Sequence, residues 1–92
     1  MTNPTAFNAG ENRYEIHVDD VLAGFVEVRE DDDTVDMLHT EVFDQFEGQG
    51  VAGRLVAAAL DDVRERGKKV VATCPYVGRY VSKHPEYADL LA

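Results

Sequence analysis

A chain of 92 residues, 45% of them apolar, with a formal net charge of −9, has room for one small folded domain. That charge disfavours nucleic acid and anionic membranes as partners, and no apolar run approaches the ~20 residues that cross a bilayer. The single cysteine, Cys74, excludes an internal disulfide, and residues 1–10 lack a basic-then-apolar leader, so a cytoplasmic location is expected.

In chain order, residues 1–11 are polar and predict a flexible terminus, with the domain spanning 12–92. Residues 13–18 alternate, with Tyr14, Ile16 and Val18 on one face, and predict a strand. Asp19-Asp20 marks a tight turn. Residues 21–29 predict a second strand, Leu22, Val26 and Val28 facing one way and Phe25 the other; Gly24 within it signals a bulge or a close backbone approach. The acidic run Asp31-Asp32-Asp33 reads as a solvated turn. Residues 34–43 predict a third strand, with Leu38, Thr40 and Val42 sharing one face and Met37, His39 and Glu41 the other. Links this short permit only an antiparallel meander.

Residues 50–66 then place Ala52, Leu55, Val56, Ala59, Leu60 and Val63 at helical spacing, with Gly67 as the C-terminal stop. Residues 69–73 are rich in β-branched side chains and predict a fourth strand buried on both faces. Residues 76–84 predict a short helix, and 85–92 a last turn or helix packing Tyr87, Leu90 and Leu91. The class is α+β: a three-strand meander, then a βαβ unit, then short C-terminal helices.

At the first turn of the βαβ unit stands Glu47-Gly48-Gln49-Gly50-Val51-Ala52-Gly53, where free backbone N–H groups at a helix start can meet phosphate oxygens. The spacing satisfies a dinucleotide fingerprint, but the next strand ends Ala72-Thr73-Cys74, without the acid that holds a ribose hydroxyl. A nucleoside triphosphate P-loop fits less well still, because no Gly-Lys-Ser/Thr follows the glycines. A bare structural role for the glycines, in a tight turn and helix packing, is the remaining alternative.

The same loop resembles the Gln/Arg-x-x-Gly-x-Gly/Ala motif of the GNAT superfamily of acetyl-CoA-dependent N-acetyltransferases. Residues 46–56, then Cys74-Pro75-Tyr76, then Tyr80-Val81-Ser82-Lys83-His84-Pro85-Glu86-Tyr87, look most like a subfamily of compact GNAT-like proteins, and the resemblance runs over residues 14–91. It implies a minimal GNAT fold with a splayed fourth strand and acetyl-CoA as acyl donor, with no metal. The pyrophosphate would be met by Gly48, Gln49, Gly50, Val51, Ala52, Gly53 and Arg54, and the pantetheine arm would lie along Thr40, Glu41 and Val42. Glu47 stands where the family prefers Gln or Arg, so coenzyme binding should rest on the loop amides more than on side chains.

For chemistry the resemblance points to Tyr80 as the acid for the departing thiolate. Cys74, at a strand end beside the expected thioester, is a candidate nucleophile that takes the acetyl group first, its thiol activated by Arg79, Lys83, His84 or the following helix N-terminus. His39 is a candidate base for the amine or for Cys74, with Glu41 weaker on the same face. Each has a structural alternative: core filling for Tyr80, a small buried residue for Cys74, a satisfied strand residue for His39. GNAT enzymes usually place two helices between their first two strands; here only Asp19-Asp20 intervenes. The acceptor side should therefore be open, suited to an amine on a protein or completed by a second subunit. A non-catalytic CoA or acetyl-CoA sensor is the alternative from another class.

Overall fold

In the computed structural model, which describes residues 5–92, β1 (Thr5–Asn8), β2 (Arg13–Val18), β3 (Val21–Glu30), β4 (Thr34–Val42) and β5 (Lys69–Ala72) form one sheet in that order. The first four strands are antiparallel neighbours, and β5 joins β4 in parallel after α1 (Val51–Glu65) crosses over. α2 (Pro75–Lys83) and a 3-10 turn at Pro85–Leu90 finish the chain. Leu91 bridges Val70 in parallel and the Ala92 N–H donates to the Val70 carbonyl at 2.9 Å, so the C-terminus lines the free edge of β5. Among the described residues no helix is long and apolar enough to cross a membrane.

The flexible terminus expected through residue 11 is corrected at β1; its first part, residues 1–4, lies outside the described residues. Thr5–Asn8 is too short for an alternating pattern to register, yet Phe7 lies opposite Tyr14 with ring centroids 5.1 Å apart, and the Asn8 side chain donates to Glu15 at 3.1 Å. The Asp19-Asp20 turn forms as expected, both residues at positive φ, as a tight hairpin with right-handed strand twist demands.

Two bulges shape the sheet. The β2–β3 register shifts between Ile16 and His17, leaving Ala23 extra, and beside it Gly24 passes so close to β4 that a Cβ would stand 2.5 Å from the Glu41 carbonyl oxygen. The β3–β4 register shifts between Glu27 and Val28, so Leu38 is the extra residue of β4. This corrects the predicted alternation: Met37 shares the core face with Thr40 and Val42, while Leu38 is exposed and His39 and Glu41 stay on the opposite face.

The core lies on one side of the sheet. Val51, Leu55, Val56, Ala59, Leu60 and Val63 of α1 are buried against Tyr14, Ile16, Val26, Val35, Met37 and Val70; each fully buried Val, Leu or Ile contributes roughly 1.5–3 kcal/mol of transfer free energy. Ala52, expected in this stripe, is only half-buried, and Val51 takes the inward position. α2 packs beside α1 through Val77 and Val81. The other face carries Arg13, Glu15, Phe25, Glu27, His39 and Glu41, none of them buried. The expectation of a fourth strand buried on both sides is corrected for the same reason: Val70 is inaccessible, whereas Val71 is 38% exposed on this uncovered face.

α1 ends as its sequence dictates. Arg66 is the C-cap, Gly67 follows at φ 72°, and the Gly67 and Lys68 amides donate to Arg64 and Val63 carbonyls, closing a Schellman motif. Beside it the Tyr14 hydroxyl donates to Asp62 at 2.5 Å, and Arg66 reaches both Tyr14 and Glu30, tying the helix end to the sheet.

Candidate functional site

The glycine loop folds as a left-handed lead-in to α1. Gly48 and Gly50 have φ of 77° and 73°, and Gly50 is the N-cap. A Cβ at either would meet nothing within 4 Å, so glycine is required there by backbone conformation and not by crowding. The first helical bond runs from the Arg54 amide to the Gly50 carbonyl, which leaves the amides of Val51, Ala52 and Gly53 without intrahelical partners at the positive end of the helix dipole. They open on a cavity of about 290 Å³ shared by the loop, Phe46, Val42 of β4 and Tyr76 of α2. This is the geometry of an anion site, and it fits a diphosphate group.

Not every loop side chain points into it. The Gln49 side-chain amide turns back to the Gln45 carbonyl at 3.3 Å. Arg54 is exposed and lines a separate cavity between α1 and β1, with Ala6, Phe7 and Asp61. Glu47 borders the glycine-loop cavity, exposed.

From this cavity the unpaired edge of β4 and the first turn of α2 outline a groove. β4 and β5 pair only from Thr34↔Lys69 to Met37↔Ala72, and the last link is the Cys74 amide donating to the Met37 carbonyl at 2.8 Å. Beyond it residues 38–42 of β4 keep β3 on one side and have no strand on the other among the described residues. The Leu38 bulge bends β4 at this point, while Pro75 turns the chain from β5 into α2. Val42 and Tyr76 line the cavity; two residues earlier on the same two elements, Thr40 and Cys74 touch, with Sγ 3.5 Å from Oγ1.

Cys74 is the N-cap of α2 and is 4% exposed. Burial pushes its thiol pKa up, but the Thr40 hydroxyl and the amides of Val77, Tyr76 and Thr40 outweigh burial and hold it below the ordinary thiol value. The helix N-terminus is thus one of the expected activating elements, and Thr40 a further one; Arg79, Lys83 and His84 are not among these causes.

Tyr80 lies one turn beyond Tyr76, its ring 3.8 Å from the Cβ position of Gly53 and stacked on His84 at 4.0 Å. Burial, then the charge of Glu86, raises its pKa, so the phenol is protonated at neutral pH. His39 sits on the uncovered face, its Nε2 3.4 Å from Glu41 and its ring edge-on to Phe25. Thr40, and with it Cys74, lies on the other side of β4; His39 is therefore placed for a group arriving from the open face and not for the thiol. Sequence reasoning missed Tyr76 and the Thr40 side chain. The i,i+4 spacing of Tyr76 and Tyr80 was a usable signal for the first; the second depends on the bulge.

The profile of the family described as GCN5-related N-acetyl-transferase matches residues 13–90. Among curated proteins, Protein NATD1 of Xenopus tropicalis is 48% identical over 52 residues (56% of this chain, 48% of that protein), and Protein NATD1 of Danio rerio 40% over 58 residues (61% and 53%). The chain thus spans about half the length of the curated relatives it matches. Among solved structures, a Staphylococcus aureus protein described as GCN5-like is 28% identical with a TM-score of 0.72, covering 100% of this chain and 91% of that one. AAC(6')-Iy, in complex with a bisubstrate analog, CoA-S-monomethyl-acetylneamine, shares the fold alone at 21% identity and a TM-score of 0.54, covering 82% of this chain and 58% of that one. On the match over residues 13–90, this chain belongs to the GCN5-related N-acetyltransferase family.

Proposed function

We propose that the chain binds acetyl-CoA along this groove and transfers the acetyl group to an amine presented from the uncovered sheet face. The observation that carries the reading is the succession of groups along the unpaired edge of β4: the free amides of Val51, Ala52 and Gly53 share one cavity with Val42 and Tyr76, and Thr40 and Cys74 stand next along the same two elements. The complex of AAC(6')-Iy with a CoA-based analog supports the same ligand class. Bound acetyl-CoA supplies an activated thioester. The first-turn amides hold its pyrophosphate, and Gly48 and Gly50 give the loop its left-handed path; Arg54 contributes charge from the flank only. Residues 38–42 of β4 offer backbone groups to the extended arm.

Cys74 is the first acceptor: its thiolate forms the new S–C bond, the original C–S bond breaks, and the proton of Tyr80 goes to the departing sulfur. The amine then attacks the acetyl-cysteine, its proton passes through water to His39 on the open face, and the Cys74 thiolate is released. In direct transfer, with Cys74 as a bystander, the amine attacks the thioester of acetyl-CoA itself and gives its proton to His39, the C–S bond breaks, and the departing sulfur takes the proton of Tyr80.

Calorimetry with CoA and acetyl-CoA at up to millimolar ligand tests binding; no heat of binding refutes the reading. Intact mass after incubation with acetyl-CoA should show one acetyl adduct, absent in Cys74→Ser. Unchanged turnover in Cys74→Ser assigns direct transfer. Binding with no thiol release for any amine assigns a non-catalytic CoA module, a role favoured by the lack of cover on the acceptor face among the described residues.

A further inference from the structure

We propose that Thr40 is the positioning residue of Cys74: its hydroxyl spans the groove from β4 to the α2 N-cap, fixes the sulfur at the groove's closed end, and stabilises it in both thiol and thiolate forms. The inference rests on the acetyl-CoA reading for its purpose but on contacts within this chain for its content.

The contact is specific. Beyond Met37↔Ala72 the two strands no longer pair, and the Thr40–Cys74 contact at 3.5 Å joins the elements across the gap. Thr40 reaches this side of the sheet only because Leu38 is extra: with uninterrupted alternation from Met37, residue 40 would face away from the core. A threonine hydroxyl is both donor and acceptor. It accepts the Sγ–H of the neutral thiol and, by rotating its proton, donates to the thiolate. Valine has the same shape and neither capacity. The amides of Val77, Tyr76 and Thr40 also favour the thiolate. The remaining titratable groups on the elements around the sulfur are Tyr76, Arg79, Tyr80, Lys83 and His84 of α2 and the following cap, Lys69 of β5, and Asp36, His39 and Glu41 of β4, all three of which face the opposite side of the strand.

Cys74 is the sole cysteine, so thiolate absorbance near 240 nm, taken as the difference from Cys74→Ser at each pH to remove tyrosinate, reports it alone. Titration of the free protein should show Thr40→Val raising the midpoint by about one pH unit, as expected for losing one hydrogen bond to a charged group. Thr40→Ser, which keeps the hydroxyl, should restore it. Iodoacetamide should react about threefold slower in Thr40→Val at neutral pH, because a tenfold loss of thiolate is partly offset by higher nucleophilicity. An unchanged midpoint in Thr40→Val, or a Thr40→Ser shift as large as that of valine, overturns the assignment. Because the titration needs no acetyl-CoA, it decides the role of Thr40 separately from binding; failure of calorimetry would remove the coenzyme reading and leave this result standing.

Discussion

Replacing Gly50 by aspartate and by asparagine separates the charge of the glycine loop from its shape. Gly50 sits at φ 73° as the N-cap of α1, and a Cβ there meets nothing within 4 Å. Both replacements pay for left-handed backbone, with a cost of order 1 kcal/mol that asparagine and aspartate bear better than most residues. The left-handed backbone at residue 50 is not the extended one from which an N-cap side chain reaches the N2 and N3 amides, so neither variant covers the amides of Ala52 and Gly53. The two variants bear the same backbone cost, and their urea midpoints should agree closely.

Coenzyme affinity should not agree. If a pyrophosphate rests on the amides of Val51, Ala52 and Gly53, a carboxylate at residue 50 stands about 5 Å from it. At an effective dielectric of about 20 one such charge pair repels by about 3 kcal/mol, or roughly 100-fold in the dissociation constant. Calorimetry should give Gly50→Asn an affinity within several-fold of the parent and Gly50→Asp one roughly 100-fold weaker, the gap narrowing as salt is raised. Equal affinities in the two variants would show that the anion does not bind at this helix end.

Two further outcomes follow from the sheet and its helix. Gly24→Ala puts a Cβ at 2.5 Å from the backbone of Glu41, which no side-chain rotation relieves, whereas Gly67→Ala meets open space and bears only the cost of its φ of 72°; urea unfolding should therefore show a loss of about 1 kcal/mol for Gly67→Ala and of 1–3 kcal/mol or more for Gly24→Ala. Tyr14 is 2% exposed, and burial, then its bond to Asp62, raises its pKa. An unfolded tyrosine ionises near pH 10, so the folded state holds one proton more above that pH, and stability falls as pH rises by up to about 1.4 kcal/mol per unit. Tyr14→Phe should flatten that decline between pH 10 and 11 and cost about 1–2 kcal/mol at pH 7.

The parts of the fold visible in the sequence are those where one local rule acts alone. The stripe from Leu55 to Val63, the Gly67 stop, the Asp19-Asp20 hairpin and the glycine loop each follow from periodicity or from a demanded φ. β1 was not visible because four residues cannot establish a period, and its pairing comes from Tyr14 and Glu15 across the hairpin. Val71 was misread because β-branched content reports strand propensity, while burial on the second face needs a covering layer that Asp19-Asp20 is too short to supply. At the site, Gly50 and Cys74 could be singled out by residue type; the Thr40 contact could not, since it joins positions 34 residues apart.

A single extra residue accounts for several features of the groove together. Without the bulge, the alternation of β4 would put Leu38 and Thr40 on one face and Met37, His39 and Glu41 on the other. With Leu38 inserted, Met37 and Thr40 share the core side, and Met37 ends the parallel pairing with β5 while Thr40 meets Cys74 beyond it. His39 and Glu41 then fall on the uncovered face, in register with Glu27 and Phe25. Thiol and imidazole thus stand on opposite sides of one strand, three positions past the last paired carbonyl or fewer. In a regular strand, Thr40 and Met37 would be on different sides and the thiol would lose its hydroxyl partner.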